Sequence, residues 1–384
     1  MANVTVSSPP TITNPSAISV CQGENGKTMS VSVTPSTGVT LQWYKGASGS
    51  GTALSNNSNY SGVTTPTLTF NSITSLLDIT YYCVVTVPST GCTATSSAAR
   101  LTVNTPPTIN SDPISTVACD GGTATMSVSA PGATQWTWYK VGSSSPLANG
   151  SDYSTTATQT LTINGKASTN GSYYCVVGNN GCTATSGTAE LKVTIITSNP
   201  TSKDICPGTV TTMQVTATNA TSYRWWKDGS AISTSDGNFE GVTSTRLSIS
   251  GTAGTAGSYY CVVGNGVCSK ESAHATLTVY PAINITTDLD PGFTPLFYLE
   301  VLSIGFQAEA EGGSGTLSQT WYLDDDPMIK DVEYVDVGSG YIYLSNSKGG
   351  SLQVGTHTIY CEFSDSHCTK KTSIQYFEMA HQDP

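Results

Sequence analysis

Apolar and polar residues alternate with a period of two in short runs along the chain, as in Met29-Ser30-Val31-Ser32-Val33, Leu101-Thr102-Val103, Leu191-Lys192-Val193 and Leu277-Thr278-Val279. Successive side chains of an extended strand point to opposite faces, so such runs read as strands with one buried face. Nowhere do apolar residues recur at helical spacing over a useful length. Ser, Thr, Gly and Asn fill the alternate positions and the connections, a composition that suits sheet surfaces and turns. The pattern predicts an all-β chain.

The strands fall into a repeat. Tyr81-Tyr82-Cys83, Tyr173-Tyr174-Cys175 and Tyr259-Tyr260-Cys261 are identical, and Ile359-Tyr360-Cys361 is a looser fourth copy. The cysteines lie 92, 86 and 100 residues apart, a period that matches one β-sandwich of about 100 residues. An aromatic strand precedes each: Trp43-Tyr44-Lys45, Trp138-Tyr139-Lys140, Trp225-Trp226-Lys227 and Trp321-Tyr322-Leu323. Short segments containing Pro106-Pro107, Pro200 and Pro281 separate the repeats. The boundaries expected from this are 1–104, 105–194, 195–280 and 281–384. Such brief junctions leave little room for free swinging, so an elongated, semi-rigid rod is expected.

A Trp on the third strand followed by a Tyr two residues before a Cys on the sixth resembles the core and tyrosine corner of the immunoglobulin fold. The resemblance implies that Trp43, Trp138, Trp225 and Trp321 fill the space between two sheets. It also implies that the hydroxyls of Tyr81, Tyr173 and Tyr259 tie their strand to the preceding turn. The fourth repeat has Ile359 at the corner, and its Gly355–Tyr360 strand followed by Ser364-Asp365-Ser366 also resembles the polycystic-kidney-disease-type sandwich. The expected fold is four tandem immunoglobulin-like β-sandwiches, the last divergent.

The cysteines depart from the antibody pattern. Val31, Val128 and Val215 occupy the second-strand places where a core Cys would sit, while Cys21, Cys119 and Cys206 lie at the strand's entrance. A further set, Cys92, Cys182, Cys268 and Cys368, follows the tyrosine motifs. A central turn between Cys175 and Cys182 would set the two thiols opposite each other across a hairpin. The favoured pairing is therefore Cys83–Cys92, Cys175–Cys182, Cys261–Cys268 and Cys361–Cys368. The alternative joins each entrance Cys to one of the hairpin cysteines, a choice that spacing leaves open. Eleven cysteines without CxxC spacing point to disulfides in an oxidising environment and away from structural zinc.

Charge changes the picture at one end. Residues 1–280 hold 11 acidic and 11 basic side chains, and residues 281–384 hold 15 and 4, so the net −11 belongs to the last repeat. Without a Lys/Arg cluster, nucleic-acid binding is not expected. No apolar stretch approaches the ~20 residues that span a bilayer, so no membrane insertion is expected. Met1-Ala2-Asn3-Val4-Thr5 begins no signal peptide. That fits a protein that acts without ordinary export, as a phage virion protein would, or a fragment of a secreted one.

Candidate chemistry is sparse. The histidines, His274, His357, His367 and His381, do not recur between repeats and sit in no catalytic motif. No enzyme and no cofactor are expected. Asp324-Asp325-Asp326, with Asp331, Glu333 and Asp336 behind, offers hard oxygen ligands for Ca²⁺, or simply a solvated turn. Tyr44, Tyr139, Trp226 and Tyr322 should face away from the core, where they either stack on a sugar ring or protein partner or pack against the neighbouring strand.

Three regular repeats followed by a divergent one resemble, in layout and size, the outer capsid decoration protein of T-even phages. That resemblance implies a virion-surface location, docking on the capsid or another virion protein through residues 281–384, and outer modules that reach host-surface or mucosal glycans. The repeats with their entrance cysteines are also similar to modules of secreted bacterial cell-surface adhesins, which implies a stalk or adhesive segment.

Overall fold

The computed structural model describes residues 8–290, 295–298, 304–330, 334–336, 338, 340–344 and 352–380. The chain forms two compact units, residues 1–193 and 194–384.

In the first unit the leading repeat builds a larger sheet in the order Ile18–Cys21, Ala99–Asn104, Thr80–Val87, Thr40–Lys45 and Thr52–Ala53, with Cys92–Thr95 hairpinned onto Thr80–Val87. A smaller sheet runs Lys27–Ser30, Thr67–Phe70, Tyr60–Ser61. The second repeat copies this with Thr116–Cys119, Ala189–Ser198, Gly171–Asn179 and Gln135–Lys140 facing Thr123–Ser127, Thr160–Asn164 and Tyr153–Ser154. Each motif strand, Thr80–Val87 or Gly171–Asn179, is central because its Tyr, Cys and Val side chains alternate into the core.

The second unit repeats the plan. Lys203–Ile205, Ala275–Val279, Gly257–Gly264, Ser222–Lys227 and Ser230–Ala231 face Val210–Gln214, Arg246–Ser250 and Phe239–Glu240. Leu296–Tyr298, Gln375–Ala380, Gly355–Ser364, Ser318–Leu323 and Asp326–Pro327 accompany Ile304–Gln307, Tyr341–Leu344 and Tyr334–Asp336.

The two sheets of a repeat meet on their apolar faces. In the first, Met29, Leu68 and Phe70 of the smaller sheet pack with Trp43, Tyr81, Cys83 and Leu101 of the larger. Trp43, Trp138, Trp225 and Trp321 are each no more than 1% exposed. Every one of them lies directly across the strand pair from a motif cysteine: Trp43 from Cys83, Trp138 from Cys175, Trp225 from Cys261, Trp321 from Cys361. Indole nitrogens of the first three donate to the carbonyls of Thr65, Thr158 and Ser244, each at 2.9 Å, which satisfies a polar atom in an apolar core. Tyr81, Tyr173 and Tyr259 are fully buried, and their hydroxyls donate to the carbonyls four residues earlier, Leu77, Thr169 and Thr255.

One strand sets the polarity of each repeat. Ile18–Cys21 runs parallel to the closing strand Ala99–Asn104, with Cys21 opposite Asn104. Likewise Lys203–Ile205 runs parallel to Ala275–Val279, which places Cys206 beside the next residue, Tyr280. Both entrance cysteines thus sit at the pole where the chain leaves the repeat.

Candidate functional site: the cross-linked junctions

The hairpin after each motif cysteine decides the disulfide chemistry. Asn180 and Gly181 have φ of 44° and 82°, the left-handed pair of a two-residue hairpin turn, and Cys182 faces Asn179. Counting back from that turn, Cys175 falls opposite Ser186, whose amide donates to the Cys175 carbonyl at 2.9 Å. Cys175 and Cys182 are therefore not cross-strand partners. The same offset holds elsewhere: Ser96 faces Cys83, Ser272 faces Cys261 and Thr372 faces Cys361. The hydroxyls of Ser96, Ser186, Ser272 and Thr372 accept the amide N–H of these four cysteines at 2.9–3.0 Å.

The expected hairpin bridges Cys83–Cys92, Cys175–Cys182, Cys261–Cys268 and Cys361–Cys368 are thus corrected. Cys83, Cys175, Cys261 and Cys361 are buried free thiols. Burial in an apolar core pushes them up, Cys83 and Cys361 to about 12 and Cys175 and Cys261 to about 11. At neutral pH they carry almost no thiolate, the form that oxidises or binds metal. Buried Val31, Val128 and Val215 stand where a second core cysteine would be needed.

The disulfides lie between repeats instead. Cys21 bonds to Cys182 across 161 residues, and Cys206 bonds to Cys368 across 162. The entrance cysteine of one repeat is joined to the hairpin cysteine of the next. Cys119 and Cys268 are also disulfide-bonded. Cys92 is a half-buried free thiol. The alternative that joined entrance to hairpin cysteines had the right classes of residue. What it lacked was the parallel pairing that carries the entrance cysteine to the exit pole.

Each junction has further contacts. In the first unit the Asn104 side-chain amide donates to the Asn180 carbonyl at 3.4 Å. In the second, the Tyr280 ring stacks on His367 at a centroid distance of 3.9 Å. Asp365 shapes the turn that presents Cys368: its carboxylate accepts the amides of Ser314, His367 and Cys368, each at 2.7 Å. Those bonds, from Ser314, Cys368 and His367, hold the carboxyl far below the usual range. Asn265 does the same work for Cys268, accepting the amides of Val267 and Cys268. A cleft of about 590 Å³ runs beside the Cys206–Cys368 bridge, with Asp288 in its lining. The Asp288 carboxylate is engaged by the amide and hydroxyl of Ser373.

The acidic run forms a turn. Asp324 and Asp325 have φ of 50° and 67° and connect Ser318–Leu323 to Asp326–Pro327. Asp324 accepts the Thr358 amide at 2.8 Å and pairs with His357 Nδ1 at 2.7 Å. Burial opposes ionisation, but the bonds from His357 and Thr358 keep the carboxyl below its ordinary value. Asp228 occupies the same corner in the preceding repeat, with φ of 46° and the Ser258 amide on its carboxylate. Among the described residues no three His, Cys, Asp or Glu side chains converge as metal ligands. Asp331, Glu333 and His381 lie outside the described residues.

The outward aromatics are cross-strand pairs. Tyr44 stacks on Tyr82 at 5.1 Å, Tyr139 on Tyr174 at 5.2 Å, Trp226 on Tyr260 at 5.9 Å and Tyr322 on Tyr360 at 4.8 Å. In the third and fourth repeats a further group joins the stack: the His274 ring lies on Tyr260, and the Lys371 ammonium sits 4.6 Å from the Tyr360 centroid. Tyr82 is 2% exposed and accepts the Gly51 amide. These stacks brace neighbouring strands of the sheet.

Ser258, His274 and Glu271 stand in series, with Ser258 Oγ 3.1 Å from His274 Nδ1 and His274 Nε2 2.8 Å from Glu271. His274 and Glu271 are more than half exposed, so the water exclusion that gives such a series catalytic force is missing. His357 has both ring nitrogens occupied, by Asp324 and the Gln353 carbonyl.

An immunoglobulin-domain family model matches residues 106–179. None of the curated proteins compared matches the chain. Among solved structures, the I-band fragment I67–I69 of titin aligns with 71% of this chain and 99% of its own, at 20% identity and a TM-score of 0.42. Sidekick-1 immunoglobulin domains 1–4 align with 97% of this chain and 99% of their own, at 19% identity and a TM-score of 0.30. The N-terminal eight immunoglobulin domains of Down syndrome cell adhesion molecule align with 99% of this chain and 50% of their own, at 17% identity and a TM-score of 0.38. Likenesses this distant carry no ligand or activity with them. With the sheet order, the buried Trp and the tyrosine corners, the match within the second repeat identifies the chain as an all-β array of tandem immunoglobulin-like domains.

Proposed function

We propose that this protein is a non-enzymatic display protein of an extracellular or virion surface, which holds immunoglobulin-like modules in cross-linked series for weak attachment. The observation that carries the reading is the placement of Cys21–Cys182 and Cys206–Cys368 between modules. A disulfide inside a module stabilises its fold, whereas one between modules restrains their separation and rotation, which matters to a protein that bears load or presents a surface at a distance. Such bonds persist in oxidising surroundings.

The narrower form of the reading is a virion role. The 15 acidic and 4 basic residues of 281–384, against a balanced 1–280, support a division of labour in which the last module docks on a capsid or other virion protein. The neutral modules then face host-surface or mucosal glycans. Immunogold microscopy with antibody to residues 1–280, on purified virions and on washed cells, tests the reading. Label on virions supports the narrow form. Label on cells alone makes the chain a cell-surface adhesin segment, and label confined to the cell interior overturns both. Removal of residues 281–384 should abolish decoration of particles, and normal decoration without them contradicts the docking assignment.

A further inference from the structure

Cys92 is a free thiol at the hairpin position that is cross-linked in the second and fourth modules. It begins the strand Cys92–Thr95, and its neighbours Thr93-Ala94-Thr95 repeat those of Cys182–Thr185 residue for residue. Both cysteines face the last residue of their motif strand, Val87 for Cys92 and Asn179 for Cys182. Cys368 follows its own motif strand at the same hairpin position. Wherever the structure describes the partner of a cysteine at this position, that partner is an exit-pole cysteine of the preceding module: Cys21 for Cys182 and Cys206 for Cys368. Cys92 lies in the first of the four described modules. It is also the one free thiol with solvent access, since Cys83, Cys175, Cys261 and Cys361 are buried.

The fourth module carries no cysteine at its exit pole. The exit-pole position there is Tyr298, opposite Ala380, as Cys21 is opposite Asn104. Cys21, Cys119 and Cys206 are already oxidised.

We propose that the first module is a docking surface for the exit pole of another immunoglobulin-like module, closed by a disulfide between Cys92 and that module's exit-pole cysteine. The bond forms by thiol–disulfide exchange. The incoming cysteine carries a mixed disulfide with a small oxidised thiol such as glutathione, and the Cys92 thiolate attacks its protein sulfur. Glutathione leaves as thiolate and takes up the proton that Cys92 released. Overall two protein thiols are oxidised and one glutathione disulfide is reduced to two glutathiones.

The test builds the missing half into the same full-length chain. Tyr298→Cys places a cysteine at the last module's exit pole, so in a glutathione redox buffer these chains should link head to tail. The expected result is a ladder of oligomers on a non-reducing gel that collapses on reduction, with peptide mapping that joins position 298 to Cys92. Tyr298→Cys combined with Cys92→Ser should give no such ladder. Linkage of Cys92 only to Cys92 of a second copy, or a chain that stays monomeric, overturns the proposal. The wild-type chain gives a check that does not depend on the variant folding. Native alkylation should modify one thiol per chain, at Cys92, and a Cys92 that resists alkylation until denaturation also overturns the proposal.

Discussion

Cys175 and Cys182 are seven residues apart on one hairpin, yet one is a reduced core residue and the other a cross-link. The first sits on the inner face of the motif strand, across from Trp138, where burial suppresses ionisation. The second sits at the hairpin end, where the exit pole of the preceding module reaches it. The difference teaches that in these modules the sandwich core is held by packing and the disulfide serves the connection between modules.

The comparison breaks most sharply under a protease. A single cut in the segment between the first two modules, at the exposed Asn110–Asp112, should leave two fragments joined through Cys21–Cys182. They should run as one species without reductant and as two with it. In Cys182→Ser the fragments should part without reductant.

Next in size is the core. If packing alone holds the second sandwich, Trp138→Ala should cost about 3–5 kcal/mol, the range for truncating a buried aromatic. Denaturant unfolding should show that loss in one transition while the Cys21–Cys182 bridge stays intact by mass. A much smaller loss would mean that the cross-link carries part of the core's stability. A milder probe is Tyr173→Phe, which removes the hydroxyl bond to Thr169 and should cost about 1 kcal/mol. The fourth module, with buried Ile359 at that position, has no such bond to lose.

The smallest expected effect is acid sensitivity at the second-unit junction. Asp365 has a depressed folded pKa, so its contribution is present above the ordinary carboxylate value of about 4 and is lost as pH falls through the folded value. Asn265 makes equivalent turn bonds without a charge. Asp365→Asn should therefore keep the turn and flatten the fall in thermal midpoint between about pH 4 and pH 2. An unchanged pH dependence would separate Asp365 from the acid response.

How much of this was legible beforehand follows from the range of each interaction. The period-two runs and the Trp and Tyr–x–Cys spacing announce the sandwich because they report local burial, which strand alternation translates directly into faces. The cysteine pairing depended on two facts that are not local. One is the two-residue turn at Asn180-Gly181, which leaves Cys182 four places from Cys175's partner Ser186. The recurring Ser96, Ser186, Ser272 and Thr372 were the available signal for that register. The other is the parallel pairing of Ile18–Cys21 with Ala99–Asn104, across some eighty residues, which nothing in either segment's composition announces. The acidic run at Asp324 stays open in sequence for a related reason: an aspartate at positive φ in a tight turn and an aspartate in a calcium loop look alike, and the His357 and Thr358 contacts separate them.

The most direct test is a disulfide map of the full-length native chain, digested without reductant after alkylation of its free thiols. The account predicts peptides that join Cys21 to Cys182 and Cys206 to Cys368. Cys83, Cys175, Cys261 and Cys361 should be alkylated only once the chain is denatured. A peptide in which Cys175 is joined to Cys182, or Cys361 to Cys368, would contradict it and return the disulfides to the interior of each module.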